Sequence, residues 1–498
     1  MRDKGDGIGG FFFFPALLYH PLLVHILSLS GLMIMAERTL ERLMNYGEVR
    51  HSEAGGGRGV FATSDLSPGC LITAEMSALS WADERSHSLS SRNPDPLLQL
   101  LEAVFASPLA RRTMSQLYPK TLKEVREEEK ENMRTFLLLK ADRVETLLST
   151  HRDFLSIEEL IRSALVLQHN GFGTGLYGQL SLFNHSCRPN CIKFSPKNNY
   201  SPSEIWTTEI VRKDTELTIS YYSIDSPLSV IREYLKENHK FSCQCIRCEQ
   251  YLLPGQEEME EELGENERRT RDIYDRCVAM ERELLHQNVD SESEIARRSK
   301  RMYNEVIEME ASVEDLRVRG KLLKAGVAAA LASIEAYETR GRRMKFECAS
   351  AFLLCSVKLY SCEVRYLEGQ DHPNLGSSLH DIVEGCKGIM TRFPEKVAIM
   401  ETKLLLEDLP SILHLSLSKG GLSECASVCK NEALRLKRMY SLASNYPEAL
   451  SIFGKPGEFF WGGVNKNEAT ADQVRVISDS TEDLFLIHKM FFALSLFI

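Results

Sequence analysis

The sequence predicts an α+β protein: a mostly-β core split by a helical insert, a short cysteine-rich segment, and a long all-α half. Three observations carry this. Short runs rich in β-branched and aromatic residues alternate with glycine and proline turns at residues 57–75 and again at 171–221. Between them, residues 80–154 are rich in strong helix formers and poor in breakers. From residue 251 to about 450 the pattern is amphipathic helices separated by short breaks.

A chain of 498 residues is too long for one ordinary core. The expected divisions are an apolar extension (1–36), the mostly-β domain (37–238), a cysteine segment (239–250) and the helical domain (251–498). Residues 11–35 hold no Asp, Glu, Lys or Arg, enough to span a bilayer or to act as a secretory signal. Pro15, Pro21, His20 and His25, and the reduced thiols expected downstream, argue against both. The run is expected to be an extension ahead of a helix that starts near Met35; only a real anchor there would bring the protein to a membrane.

Val60–Ala62 and Leu71–Thr73 read as strands around the Pro68-Gly69 turn. Glycines alone make Gly55–Gly59 a flexible turn. The charge run in the insert reads as a solvated helix face, and Ser156 followed by Glu159 fits a capping box that opens the helix to Asn170. Glu204–Val211 and Glu216–Tyr221 read as strands, and residues 228–238 as a short helix. Pro254-Gly255 and the acidic run at 257–267 mark a linker. The helices beyond it, among them residues 320–338 and 346–368, suggest a TPR-like helical array, closed by an apolar packing helix too short to span a membrane.

A net charge of -10 and a pI near 5.8 speak against a surface that coats nucleic acid and suit a basic protein partner. Thirteen cysteines are an odd number. Seven of them (Cys277, Cys348, Cys355, Cys362, Cys386, Cys425, Cys429) fall in the helical half without framework spacing, and are expected to be reduced and mostly buried in a nuclear or cytosolic protein.

The chemistry-bearing stretches are Gly171–Cys191 (GFGTGLYGQLSLFNHSCRPNC), Glu216–Tyr222 (ELTISYY) and the cluster Cys243, Cys245 and Cys248. Three thiolates fall one short of a closed structural zinc. Cys187 or Cys191 is the natural fourth donor, and spacing permits either. Taken singly, Tyr221 is a strand residue, Asn184 a loop-backbone partner and His185 a buried, hydrogen-bonded histidine. Together with Cys187 and Pro189 they read as a cofactor site.

GRGVFA (Gly57–Ala62), NHSCRPNC (Asn184–Cys191), ELTISYY and FSCQCIRC (Phe241–Cys248) resemble, in order, the signatures of SET-domain lysine methyltransferases. The split core, trailing cysteines, helical half and GQDHPNLGSSLHDI (Gly369–Ile382) resemble the SMYD group, in which SET carries an inserted MYND finger. Residues 80–154 contain no cysteine, so the finger is missing. The resemblance implies a threaded SET core and S-adenosylmethionine contacted by Gly57, Arg58, Asn170, Asn184, His185 and Tyr221. It further implies Phe241 stacked on the adenine, Tyr221 as the active-site tyrosine, and a zinc held by Cys187, Cys243, Cys245 and Cys248. His239 stands where the family usually has a channel tyrosine. Two functions of different class follow. One is a protein-lysine N-methyltransferase that acts as a monomer on a histone or non-histone lysine without sequence-specific nucleic-acid binding. The other is a catalytically weak SET scaffold whose helical half binds partner proteins.

Overall fold

The computed structural model describes residues 46–440, apart from 53–56, 82–93, 196–200, 227, 252–268, 270–271, 274–275, 277–291 and 339–343. The apolar run at 11–35, the acidic run at 257–267, Cys277 and the apolar tail lie outside the described residues. In chain order the strands are β1 (Gly47–Ser52), β2 (Gly57–Ala62), β3 (Leu71–Glu75), β4 (Leu79–Ser80), β5 (Gly171–Phe172), β6 (Gly175–Leu176), β7 (Asn184–His185), β8 (Cys191–Phe194), β9 (Ser203–Thr207) and β10 (Glu216–Ile219). They make three small sheets, ordered β1-β2-β10-β7, β3-β9-β8 and β4-β6-β5.

The Pro68-Gly69 turn does not close a hairpin. β2 pairs with β1 and β10, while β3 crosses to β9. Glu204–Val211 is a shorter strand than its composition predicts. β9 ends at Thr207, because Ile210 projects into solvent and Val211 makes only an isolated bridge to Leu66. Every residue of β9 is buried, so it lacks the alternation of a half-exposed strand.

The insert holds α1 (Asp95–Ala106), α2 (Pro108–Met114), α3 (Glu127–Leu138) and α4 (Ala141–Thr150), followed by α5 (Ile157–Asn170). Leu98, Leu101, Leu137 and Leu165 share one apolar core across these helices, while Glu127, Glu128 and Glu131 face water. α5 begins where the sequence places it, with the Glu159 N–H donating to Ser156 Oγ at 3.2 Å. The box is half formed: the Glu159 carboxylate pairs with Arg162, whose buried guanidinium donates to the carbonyls of Met114 and Pro119.

After β10 come α6 (Leu228–Tyr234), one π-helical turn (Leu235–His239) and α7 (Ile246–Tyr251). The helical half comprises α8 (Glu292–Glu310), α9 (Leu316–Glu338), α10 (Phe346–Tyr366), α11 (Asn374–Arg392), α12 (Val397–Leu405) and α13 (Ser411–Met439). Neighbouring helices stack face to face. α10 reads as amphipathic, yet it is buried around most of its girth, and Cys355 and Cys362 act there as small apolar side chains. α13 breaks at Gly420 and Gly421, and the Glu401 carboxylate caps the second half by accepting the Leu422 N–H at 2.9 Å.

The β and helical parts share a core. Phe194 and Trp206 of the second sheet lie 5.7 and 6.0 Å from the ring of Tyr440, at the end of α13. Burying a side chain of this kind contributes about 1.5–3 kcal/mol. The loop that opens the GQDHPN motif docks at the same junction. Gln370 donates to the Pro189 carbonyl at 2.7 Å, Glu368 pairs with Arg188 at 2.7 Å, and the Asp371 N–H donates to the Thr208 carbonyl at 2.8 Å.

Candidate active site

The site is assembled from β7 outward. Glu75, at the end of β3, accepts the N–H groups of Gly178, Gln179 and Leu180 at 2.7 to 2.9 Å, fixing the turn that leads into β7. Burial pushes its carboxyl up, and those three donors work against the shift. β7 then runs parallel to β10, with Asn184 opposite Thr218 and His185 opposite Ile219.

Asn184 ties three strands together. Its amide donates to Glu216 Oε1 at 2.7 Å and to the Arg58 carbonyl at 3.0 Å, while Glu216 Oε2 accepts from Ser52 at 2.9 Å. This explains the glycine run, whose described part is strand rather than flexible turn. A Cβ on Gly59 would lie 2.1 Å from Glu216 Oε1 and 2.9 Å from Asn184 Nδ2. At Gly57 a Cβ would meet nothing within 4 Å, so that edge is open. Arg58 turns its guanidinium onto the insert, donating to the Gln116 carbonyl at 2.9 Å.

Tyr221 is held at both ends. Its backbone N–H donates to His185 Nδ1 at 2.9 Å and its hydroxyl to the Phe183 carbonyl at 2.8 Å. Burial, and then the Glu216 charge, push the phenol well above its usual range. The hydroxyl is therefore neutral, with lone pairs to spare. Around it stand His185, His239 and Phe241, with ring centroids 5.3, 4.9 and 6.4 Å away. The π turn and the left-handed Lys240 (φ 60) fold the chain back so that Phe241 faces this cluster. Burial, with the neighbouring His169 and His185, lowers His239 to about 4 and keeps it neutral at pH 7.

Asn170 stands at the end of α5, beside His169, which pairs with Glu129 at 2.7 Å. Both hydrogens of its amide are engaged, with the Tyr118 carbonyl at 2.6 Å and the Val166 carbonyl at 2.9 Å. Its side-chain oxygen is the polar group left over.

Behind the aromatic cluster, the sulfurs of Cys187, Cys243, Cys245 and Cys248 all lie within 4.8 Å of one another, Cys187 and Cys248 at 3.7 Å. Zinc–thiolate bonds of about 2.3 Å in a tetrahedron set sulfurs about 3.8 Å apart. The four thiols fit a metal ion. Hydrogen bonds within the cluster push the Cys243 and Cys245 thiols down and the Cys187 and Cys248 thiols up, so the four sulfurs share protons that a metal ion would displace. Cys191 is elsewhere, buried in the β core.

The structure thus gathers Asn184, His185, Tyr221, Phe241 and the four cysteines, with Gly57 and Arg58 on the adjoining strand. Glu216 escaped notice as an organiser, although it lies in a quoted motif. Its signal, an acid on the strand next to a glycine too crowded for a side chain, exists only once the strands are paired.

The SET domain family matches residues 57–222. This chain carries a SET domain. A SET and MYND domain-containing protein of Dictyostelium discoideum is 42% identical over 76 residues, 15% of this chain and 14% of that protein. The histone-lysine N-methyltransferase ASHR1 of Arabidopsis thaliana is 33% identical over 82 residues, 16% of each chain. The SET-domain chain thus spans only 14% and 16% of the length of these relatives. A solved structure of Rubisco LSMT bound to AdoMet aligns over 89% of this chain and 99% of that one, at 11% identity and a TM-score of 0.30, too low to carry an inference. No helix among the described residues is long and apolar enough to cross a membrane.

Proposed function

We propose that the protein is an S-adenosylmethionine-dependent protein-lysine N-methyltransferase with a structural zinc on Cys187, Cys243, Cys245 and Cys248. The observation that carries this reading is the convergence of Tyr221 and Phe241 on the His185 imidazole, next in the chain to Asn184, backed by four thiols at metal-ligand spacing. Zinc fits better than harder ions because all four donors are soft sulfur.

When bound, S-adenosylmethionine supplies a methyl group on a sulfonium for in-line transfer to an amine. The open edge at Gly57, the Asn170 oxygen and the partly buried Phe241 ring offer it a backbone, an acceptor and a stacking face. The target amine must be neutral. Deprotonating a free lysine at pH 7 costs about 4–5 kcal/mol, and desolvation among Tyr221, Tyr234, His239 and Phe241 lowers that cost. Tyr221, its proton committed to the Phe183 carbonyl, presents lone pairs that orient an N–H of the amine. It acts by positioning, because a phenol pushed this far up is no base.

The test is methyl transfer from tritium-labelled S-adenosylmethionine to core histones and to a cell extract. Tyr221→Phe is expected to reduce transfer about 100-fold while leaving cofactor binding within a few-fold. Equal transfer by both proteins would remove Tyr221 from the site. Wild-type protein that binds the cofactor without transferring label would favour the scaffold reading.

A further inference from the structure

The segment that follows the active-site tyrosine is gripped from the helical half. Ser223–Ser226 forms a tight turn, with the Ser226 N–H donating to the Ser223 carbonyl at 3.1 Å. Asp225 within it is almost fully buried, its side chain 2% exposed. One carboxylate oxygen accepts from Ser223, and the other lies 2.7 Å from the Lys324 ammonium of α9. Lys324 is also 3.8 Å from Glu363 of α10, which accepts from Ser378 of α11. One turn earlier on α9, Lys321 donates to Ser226 Oγ at 3.1 Å. At the start of that helix Arg317 bridges the Ile224 carbonyl at 2.9 Å and the Tyr366 carbonyl at 3.1 Å.

Three cations spaced along one helix face therefore hold three consecutive residues, Ile224, Asp225 and Ser226, the first of them three positions after Tyr221. His185 and Phe183 hold the tyrosine itself by its backbone N–H and hydroxyl, and the rings of His185, His239 and Phe241 pack around it. A shift of the 223–226 turn moves the end of β10 and the Tyr221 ring with it. A buried carboxylate without its counter-ion must take up a proton or find water or another cation, and each of these rearranges the turn.

We infer that Lys324, through its ion pair with Asp225, is a positioning residue for the active site, so that the helical half sets the placement of Tyr221. This rests on the methyltransferase reading. The Ile224 and Ser226 contacts of Arg317 and Lys321 are the secondary holds of the same clamp.

The test uses the full-length, zinc-loaded chain, tritium-labelled S-adenosylmethionine and core histones, with rates expressed per cofactor-binding site. Lys324→Met is expected to lower the apparent kcat at least about tenfold while the KM for S-adenosylmethionine stays within about twofold. Lys324→Arg should keep most of the rate. In the double variant Asp225→Asn/Lys324→Met, where the stranded charge is gone, the rate should recover to within about threefold of wild type. A purely structural role would lower the number of cofactor-binding sites and leave the rate per site unchanged, and that result overturns the proposal. So does a Lys324→Met rate equal to wild type. Should Lys324→Met not fold, Asp225→Asn and the double variant decide, because a positioning pair requires Asp225→Asn alone to lower kcat and the double to restore it. If wild-type protein transfers no methyl to lysine, the methyltransferase reading itself is what fails.

Discussion

Tyr221 and Cys187 are joined through one imidazole. His185 Nδ1 accepts the Tyr221 N–H at 2.9 Å, so it carries no proton, and Nε2 is left to donate to the Cys187 sulfur at 3.2 Å. A donor aimed at a thiolate steadies it as a ligand. The reactive face and the thiol cluster are thus mechanically continuous.

His185→Ala removes both bonds. Metal affinity, measured by competition with a chromophoric chelator, should weaken about 10- to 100-fold, and methyl transfer should fall with it even at saturating zinc. Unchanged affinity would mean that the Nε2–sulfur contact contributes nothing to ligation.

Zinc content is the most direct check on the cluster. Elemental analysis should find a single zinc per chain, lost in Cys243→Ser and retained in Cys191→Ser, whose sulfur lies in the β core. Because thiolates must be deprotonated to bind, acidification should release the ion. Retention by the Cys243 variant would count against a four-thiolate site.

Gly59 and Gly57 should respond in opposite ways. Gly59→Ala drives a methyl into Glu216 and Asn184, whose side chains are tethered to each other and to Ser52. The expected cost is about 1–3 kcal/mol of stability, read from urea midpoints, with weakened cofactor binding. Gly57→Ala enters open space and should leave stability unchanged in the same measurement.

His239 makes stability depend on pH. Its folded value of about 4 lies below the unfolded 6.5, so the unfolded chain binds the extra proton between them. Stability is whole above pH 6.5 and falls as pH drops toward 4, by up to about 3 kcal/mol at 1.36 per unit. His239→Phe should flatten the difference in urea midpoint between pH 7.5 and 5 relative to wild type. Parallel slopes for the two proteins would place His239 in solvent.

The amino-acid order determined the kinds of element, the helix starts at Ile157, Leu228 and Phe346, and which residues are candidates for the chemistry. Ser156, the Asn184–Cys191 run and the three late cysteines each work through features that a short window contains. The tertiary structure decided what meets what. It chose Cys187 over Cys191 as the neighbour of Cys248, across 61 positions. It turned Gly59 into a site of close approach and α10 into a buried helix. It also brought Lys324 to Asp225 from 99 positions away. Propensity and spacing act over a few residues. Contacts between distant segments arise only when packing and strand pairing close the long loops between them, and no local pattern records that closure.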